Sequence, residues 1–320
     1  MLIGHDEAWR EWRAAMTSER MHHAWILSGK QGLGKGAFAR AAAQALVAEP
    51  GVAQPALDTH PDIFVLDHLP SNEDEEKKRA EGKRYQTKRN ITIDQIRRMQ
   101  HRLTTRPTLG SRRAVIIDPA DDMEKGAVNA LLKSLEEPPV GTFFLLVAHR
   151  PGRLLPTVRS RCRIVRFAPL PDADVFAILS REAPEANDAT RRAAVAAAEG
   201  SPGSALAFVV QNLAALHGVM LKLLHEGDPA FALRGTLADE IGARPDRERM
   251  QATLELARAV LASELAAAPR ERQIRIIAAH GELTTLAAQA PTYNFDPGLL
   301  AMEIGGLLAS AAMPRETAST

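Results

Sequence analysis

Ala24-Trp25-Ile26-Leu27-Ser28-Gly29-Lys30-Gln31-Gly32-Leu33-Gly34-Lys35-Gly36 is the stretch on which the fold turns. Its first five residues form a short apolar run rich in aromatic and β-branched character, the length and composition of a buried strand. Glycines follow, and then Lys35 to Ala48, rich in alanine, reads as a helix. Gly29 to Gly36 match the phosphate-binding loop G-x-x-x-x-G-K-[ST] at every position except the last. The chemistry explains the residue types: glycines let backbone N–H groups converge on phosphate at a helix N-terminus, and a lysine adds positive charge. Gly29, Gly32, Gly34 and Lys35 are therefore candidate phosphate ligands. By composition alone, G-x-x-x-x-G-K arises in roughly one chain in ten of this length, so its place between strand and helix gives it weight. The same glycines would also serve a strand-to-helix corner that binds nothing.

Outward from this loop, short strand-like runs alternate with helical patterns. Ile63 to Leu66, Ala114 to Ile117, Phe143 to Ala148 and Ile164 to Phe167 read as further strands, which predicts a parallel sheet covered by helices. Thr92 with Gln95 forms a capping box, and Ile93, Ile96 and Leu103 mark one face of the helix that it opens. Val128, Leu131, Leu132 and Leu135 stand at i, i+3, i+4 and i+7, an amphipathic helix that Pro138-Pro139 ends. Ser71 to Arg89 is almost wholly charged without apolar periodicity, and is expected to be a mobile loop or solvated hairpin rather than a binding arm. Strands cease after Pro169 and Pro171. Asp172 to Asn212 reads as a small group of helices, and the pattern to Met313 is helical, broken at Gly227-Asp228-Pro229, Pro245, Pro269 and Pro291. No internal repeat of fixed period is present.

Composition narrows the classes. A chain of 320 residues with 45% hydrophobic content has enough apolar material for more than one compact unit. Lys and Arg (40) nearly balance Asp and Glu (39), so no global field draws the chain to nucleic acid or anionic membrane, and any DNA contact is local or shared with partners. The single cysteine, Cys162, excludes an internal disulfide and any zinc site built from several thiolates, and it suits a reducing compartment. The first residues carry His5, Asp6, Glu7, Arg10 and Glu11, unlike a secretory signal, and no run reaches the ~18 apolar residues of a membrane span. A soluble cytoplasmic protein without a membrane partner is expected.

The hydrolytic groups are missing. Gly36 stands where a Ser or Thr hydroxyl would hold magnesium. The third strand ends in Asp118 and so resembles a Walker B segment, whose first acid supports the metal and whose next residue, in active ATPases of the AAA+ class, is a glutamate that polarises water. Here the next residue is Pro119.

Ile3-Gly4-His5, His23-Ala24-Trp25, the run Asn129-Ala130-Leu131-Leu132-Lys133-Ser134-Leu135-Glu136-Glu137-Pro138-Pro139, and Ser160-Arg161-Cys162 together resemble the AAA+ clamp-loader family of bacterial DNA polymerase III. The resemblance is specific over residues 1 to about 210. It implies a P-loop (RecA-like) α/β domain with a parallel sheet over residues 1–167, a small helical lid over 168–212 and an all-helical oligomerisation (collar) domain over 213–320. It also implies that Arg161 reaches into a neighbour's ATP site as an arginine finger. The lid segment Gly200 to Leu206 carries Gly203 where active relatives have a nucleotide-sensing arginine. The implied protein is a non-hydrolysing stator: no cofactor required, ATP bound weakly at most by Gly29, Gly32, Gly34, Lys35 and Asp118, no intrinsic ATPase, and no metal. Its implied partners are the motor ATPase subunits and the clamp-opening subunit, with primer-template DNA and the sliding clamp met through the assembled complex. In one respect the chain departs from many relatives, which carry a four-cysteine zinc module after the phosphate-loop helix. Glu49 to Asp62 has no cysteine, so no zinc is expected and His22, His23 and His60 are read as structural. An active AAA+ ATPase and a nucleotide-binding regulatory module without hydrolysis stay open as alternatives.

Overall fold

In the computed structural model, residues 3–18, 20–290 and 295–312 are described. The chain divides into two compact units, Met1–Ala168 and Pro169–Thr320. Pro291 and Met313, two landmarks of the helical reading, lie outside the described residues.

The first unit is an α/β structure. Its strands are β1 (Ala24–Ser28), β2 (Ile63–Leu66), β3 (Arg113–Ile117), β4 (Thr142–Ala148) and β5 (Arg163–Arg166). All pairings are parallel, in the order β2-β3-β4-β1-β5 among the described residues. Helices α1 (Asp6–Met16), α2 (Lys35–Val47), α3 (Glu73–Ala80), α4 (Ile93–Arg102), α5 (Lys125–Glu136) and α6 (Pro156–Arg159) connect and cover them. Strand alternation sends Trp25 and Leu27 to one face, where they pack with Trp12, Phe38 and Ala42, and Ile26 to the other, with Ile96, Leu131 and Leu135. Both faces are thus buried, the condition for a parallel sheet, and it explains why the strands read as continuous apolar runs. Leu131 is fully buried, so Leu131→Ala would cost about 2–5 kcal/mol.

Buried polar groups in this unit close chain ends. The Asp62 carboxylate, 1% exposed, accepts from the N–H groups of Thr108 and Leu109 at 2.7 and 2.8 Å. Arg113 donates to the carbonyl of Arg102, which ends α4, and to that of Thr105 in the turn beyond it. At the start of α4 the Gln95 side chain accepts from Thr92 N–H at 3.0 Å, the reciprocal half of the expected capping box.

The charged segment has the expected hairpin base, but its tip differs from expectation. Residues Glu73–Ala80 form α3, not a loop. Asn72 caps it, accepting from Glu75 N–H at 3.0 Å, while acids fill its first turn and Lys77, Lys78 and Arg79 its last, matching the helix dipole. The buried Glu75 then accepts from Gln86 N–H at 2.6 Å and from Lys78, and Pro70 bridges Thr87 antiparallel, so a hairpin base carries a helix at its tip. Capping and charge order supply what apolar periodicity lacks.

Among the described residues the second unit is all helical: α7 (Asp172–Glu182), α8 (Asp188–Ala198), α9 (Pro202–Val210), α10 (Ala214–Glu226), α11 (Ala232–Ile241), α12 (Arg247–Leu265), α13 (Arg270–Gln289) and α14 (Pro297–Ser310). One buried apolar cluster runs through it, joining Val175, Leu179 and Phe208 to Leu216, Leu223, Val260 and Ile304. Asn187, Ser201, Asp246 and Asp296 cap helix N-termini. Two arginines act at the opposite ends: Arg249 donates to the carbonyls of Glu240, Ile241 and Gln211, and Arg272 to those of Leu224 and Ala311. Among the described residues no single helix is long and apolar enough to cross a membrane.

Candidate functional site

The loop after β1, the ends of β3 and β4, and the first turns of α2 meet at the C-terminal edge of the sheet, where open α/β sheets bind ligands. Gly32 and Gly34 both adopt φ of +81°, a conformation that side chains resist, and Gly34 opens α2. A Cβ on Gly29 would lie 2.6 Å from the carbonyl oxygen of Phe167, so the chain after β5 leaves room only for glycine. His5 braces the loop from outside: its Nε2–H donates to Leu33 O at 2.7 Å and its ring lies 4.7 Å from that of Phe167.

Lys35 is 2% exposed and its ammonium donates to the carbonyl oxygens of Gly29, at 2.7 Å, and of Lys30. Burial pushes its pKa down to about 8, against the pull of Asp118 and Asp121. Asp118 follows β3 and is joined by a cis peptide bond to Pro119. Its Oδ2 accepts from Arg40 Nη1 at 3.1 Å, and the same guanidinium nitrogen donates to Gly36 O at 3.2 Å. Arg40 sits one helical turn after Gly36, and helix side chains lean toward the N-terminus, so the bare glycine leaves a lane along which the guanidinium lies back to Asp118. A Cβ at position 36 would stand 2.4 Å from Asp118 Oδ2 and 3.1 Å from Arg40 Nη1. The residues here therefore do not fit a magnesium nucleotide: the hydroxyl is missing, its space is taken, and the acid is paired to a cation of the chain itself.

Asp121 and His149 complete the cluster. The two carboxylate oxygens of Asp121 accept from the N–H groups of His149 and Arg150, each at 2.9 Å, and so pin the end of β4 to the turn after β3. Burial first, then the Lys35 charge, lowers the pKa of His149, against the pull of Asp121, Asp118 and Asp122. Its Nδ1 is buried and has no hydrogen-bond partner among the described residues.

Gly29, Gly32, Gly34, Lys35 and Asp118 are thus brought together. Arg161 is placed elsewhere, on the turn between α6 and β5. Its Nη2 pairs with Glu136 Oε1 at 2.7 Å and its Nη1 donates to Thr157 O at 2.8 Å, with 35% of the side chain exposed. Gly203 lies in the first turn of α9, in the helical unit. Two segments on which the resemblance rests touch each other, since His23 Nε2–H donates to Leu135 O at 2.8 Å. The other two histidines read as structural are engaged likewise, His22 with Ala24 O and His60 with Gln54 and the N–H of Asp62. Reading the sequence missed Arg40, Asp121, His149 and Glu136 as members of these sites. Only Arg40 carried a local signal, its i+4 spacing from Gly36.

A glycine loop leaving β1, a carboxylate directly after β3 and the order β2-β3-β4-β1-β5 define a P-loop protein of the AAA+ class. The family model described as DNA polymerase III, delta subunit, matches residues 4–171, and the chain belongs to that family. It is similar to the DNA polymerase III subunit delta' of Pseudomonas aeruginosa, 38% identical over 178 residues that cover 51% of this chain and 49% of that protein. The subunit delta' of Escherichia coli is 33% identical over 205 residues, 61% of this chain and 56% of that one. The matched stretches span about half the length of these curated relatives. Among solved structures, a DNA polymerase III gamma subunit-related protein of Thermotoga maritima aligns over 94% of this chain and 98% of that one, at 19% identity and a TM-score of 0.47.

Proposed function

We propose that the chain is a non-hydrolysing stator of the replicative clamp loader, which completes a neighbouring ATPase site with Arg161 while the sliding clamp is loaded onto primed DNA. The observation that carries this reading is a contrast: the chain's own phosphate loop is paired to itself through Arg40 and Asp118, while Arg161, 35% exposed, pairs with Glu136 and donates to Thr157 O. A guanidinium presented in that way is suited to charge developing on a transferred phosphoryl group. Motor ATPase subunits and a clamp-opening subunit are the partners in this reading, and primer-template DNA and the clamp are met through the assembly. Residues 168–212 act as the lid and 213–320 as the collar of a cytoplasmic hetero-oligomer, and ATP is bound weakly at most. Because Phe208 and Leu216 share one buried cluster, a fragment ending near Asn212 would lose its own core, and point variants of the full chain are the better probe of assembly.

The test is reconstitution of the full chain with candidate motor and clamp-opening subunits, followed by native mass and DNA-stimulated ATP hydrolysis. Assembly with a rate lowered by Arg161→Ala is expected. Normal hydrolysis by a fully assembled Arg161→Ala complex would remove the trans role, and turnover by the isolated chain that Lys35→Ala abolishes would remove the stator reading itself.

A further inference from the structure

We infer that Arg40 is the fixed cation of this phosphate loop: it holds the place that the fold otherwise reserves for a divalent metal, and it makes the loop independent of magnesium. Three contacts of one guanidinium carry the inference. Arg40 Nη1 reaches Asp118 Oδ2 at 3.1 Å and Gly36 O at 3.2 Å, and it stands 3.1 Å from the point that a side chain at position 36 would occupy. Asp118 Oδ2 is nearer still to that point, at 2.4 Å. The carboxylate and the hydroxyl position that would share a metal ion are instead joined by the guanidinium.

The physical consequence is exclusion by charge and by geometry. Magnesium demands near-ideal octahedral oxygen ligands at about 2.0–2.1 Å, and here one oxygen is absent while another already accepts from a guanidinium. A serine restored at position 36 would push against Asp118 without removing Arg40. Loss of Gly36 alone therefore does not recreate a metal site, and loss of Arg40 is the step that frees the acid. Arg40 is 36% exposed and Asp118 19%, so thermal melting accompanies every variant. The inference rests on reading Gly29 to Gly36 as a degenerate phosphate loop and not on the trans role of Arg161, and its test uses the isolated full chain, so the two fail separately.

The experiment titrates Mn2+ into the full-length chain, unsubstituted and as Gly36→Ser, Arg40→Ala, the double variant, and the double variant with Asp118→Asn. Free Mn2+ is read by electron paramagnetic resonance, and thermal melting follows folding. The expected result is background binding for the unsubstituted chain and for Gly36→Ser, a gain for Arg40→Ala, and a larger gain for the double variant. That total gain should be about 10- to 100-fold, the range over which single supporting groups alter metal affinity, and Asp118→Asn should abolish it. Arg40→Gln, which keeps the helical stem, provides the same reading if either alanine variant melts early. Three outcomes would overturn the inference: Gly36→Ser alone giving the full gain, folded Arg40 variants giving none, or a gain that survives Asp118→Asn and so belongs to another acidic surface.

Discussion

Arg40 and Arg161 are nearly equal in exposure, 36% and 35%, and each is paired with one carboxylate, at 3.1 and 2.7 Å. Their partners differ. Asp118 is 19% exposed and sits at the edge of the sheet inside the phosphate cluster, so its pairing closes a site. Glu136 is half-exposed at the end of α5, so its pairing fixes an arginine while leaving it open to a partner. The comparison teaches that ion pairs of the same chemistry differ in what they leave accessible according to where the acid lies, and in the proposed stator that difference separates a closed site from an offered arginine.

The largest effect that would sharpen this contrast is in the assembled complex. Arg161→Ala should slow the neighbouring site by about 10³ to 10⁵, and the whole complex by less, because other sites keep working. Arg161→Lys should rescue poorly, since an ammonium lacks the planar fork. Steady-state hydrolysis with native mass as the assembly control measures both, and an unchanged rate would collapse the distinction between the two arginines.

A smaller loss is expected from Glu136→Gln, which keeps the shape but removes the charge that orients Arg161. A misplaced catalytic group costs up to about 10²-fold, and Thr157 O still holds one nitrogen, so the loss should fall well below that of Arg161→Ala. It should appear in kcat with little change in KM for ATP. Equal losses in the two variants would mean that Glu136 supports the fold of the turn rather than the pose of the arginine.

On the other side of the comparison, Lys35 should register in stability rather than in turnover. Its folded pKa is pushed down to about 8 from an ordinary 10.5, so between those values the unfolded chain binds more protons than the folded one, and stability rises with pH there. Lys35→Met should lack this rise. Denaturant midpoints of the two chains, compared from neutral pH upward, should diverge above about 8, and parallel curves would show that Lys35 is not desolvated as described.

The smallest effect is the most telling for the stator reading. Lys35→Met in the reconstituted complex should leave DNA-stimulated hydrolysis unchanged, because the loop serves no reaction of its own. A loss comparable to that of Arg161→Ala would transfer the active role to this chain's phosphate site.

The amino-acid sequence by itself determined the local frame, because that frame depends on near neighbours. An apolar run, a glycine turn and an alanine-rich helix set out Ala24 to Val47, and periodicity and capping marked α4 and α5 within a few residues. The replacement of the hydrolytic groups by Gly36 and Pro119 was equally legible, as was the Ser-Arg-Cys turn through its resemblance. The helix Glu73–Ala80 was legible too, in the Asn72 cap and the acid-before-base order, but apolar periodicity is the wrong signal for a helix held by capping and charge. Only the tertiary structure decided what the surviving groups do. Arg40 meets Asp118 across 78 residues, Arg161 meets Glu136 from a different connection, and Asp121 ties two strands that sheet order alone makes adjacent. Such pairings depend on which strand ends and helix turns come together, and a charged side chain's partner is chosen by distance in space, which spacing along the chain does not encode.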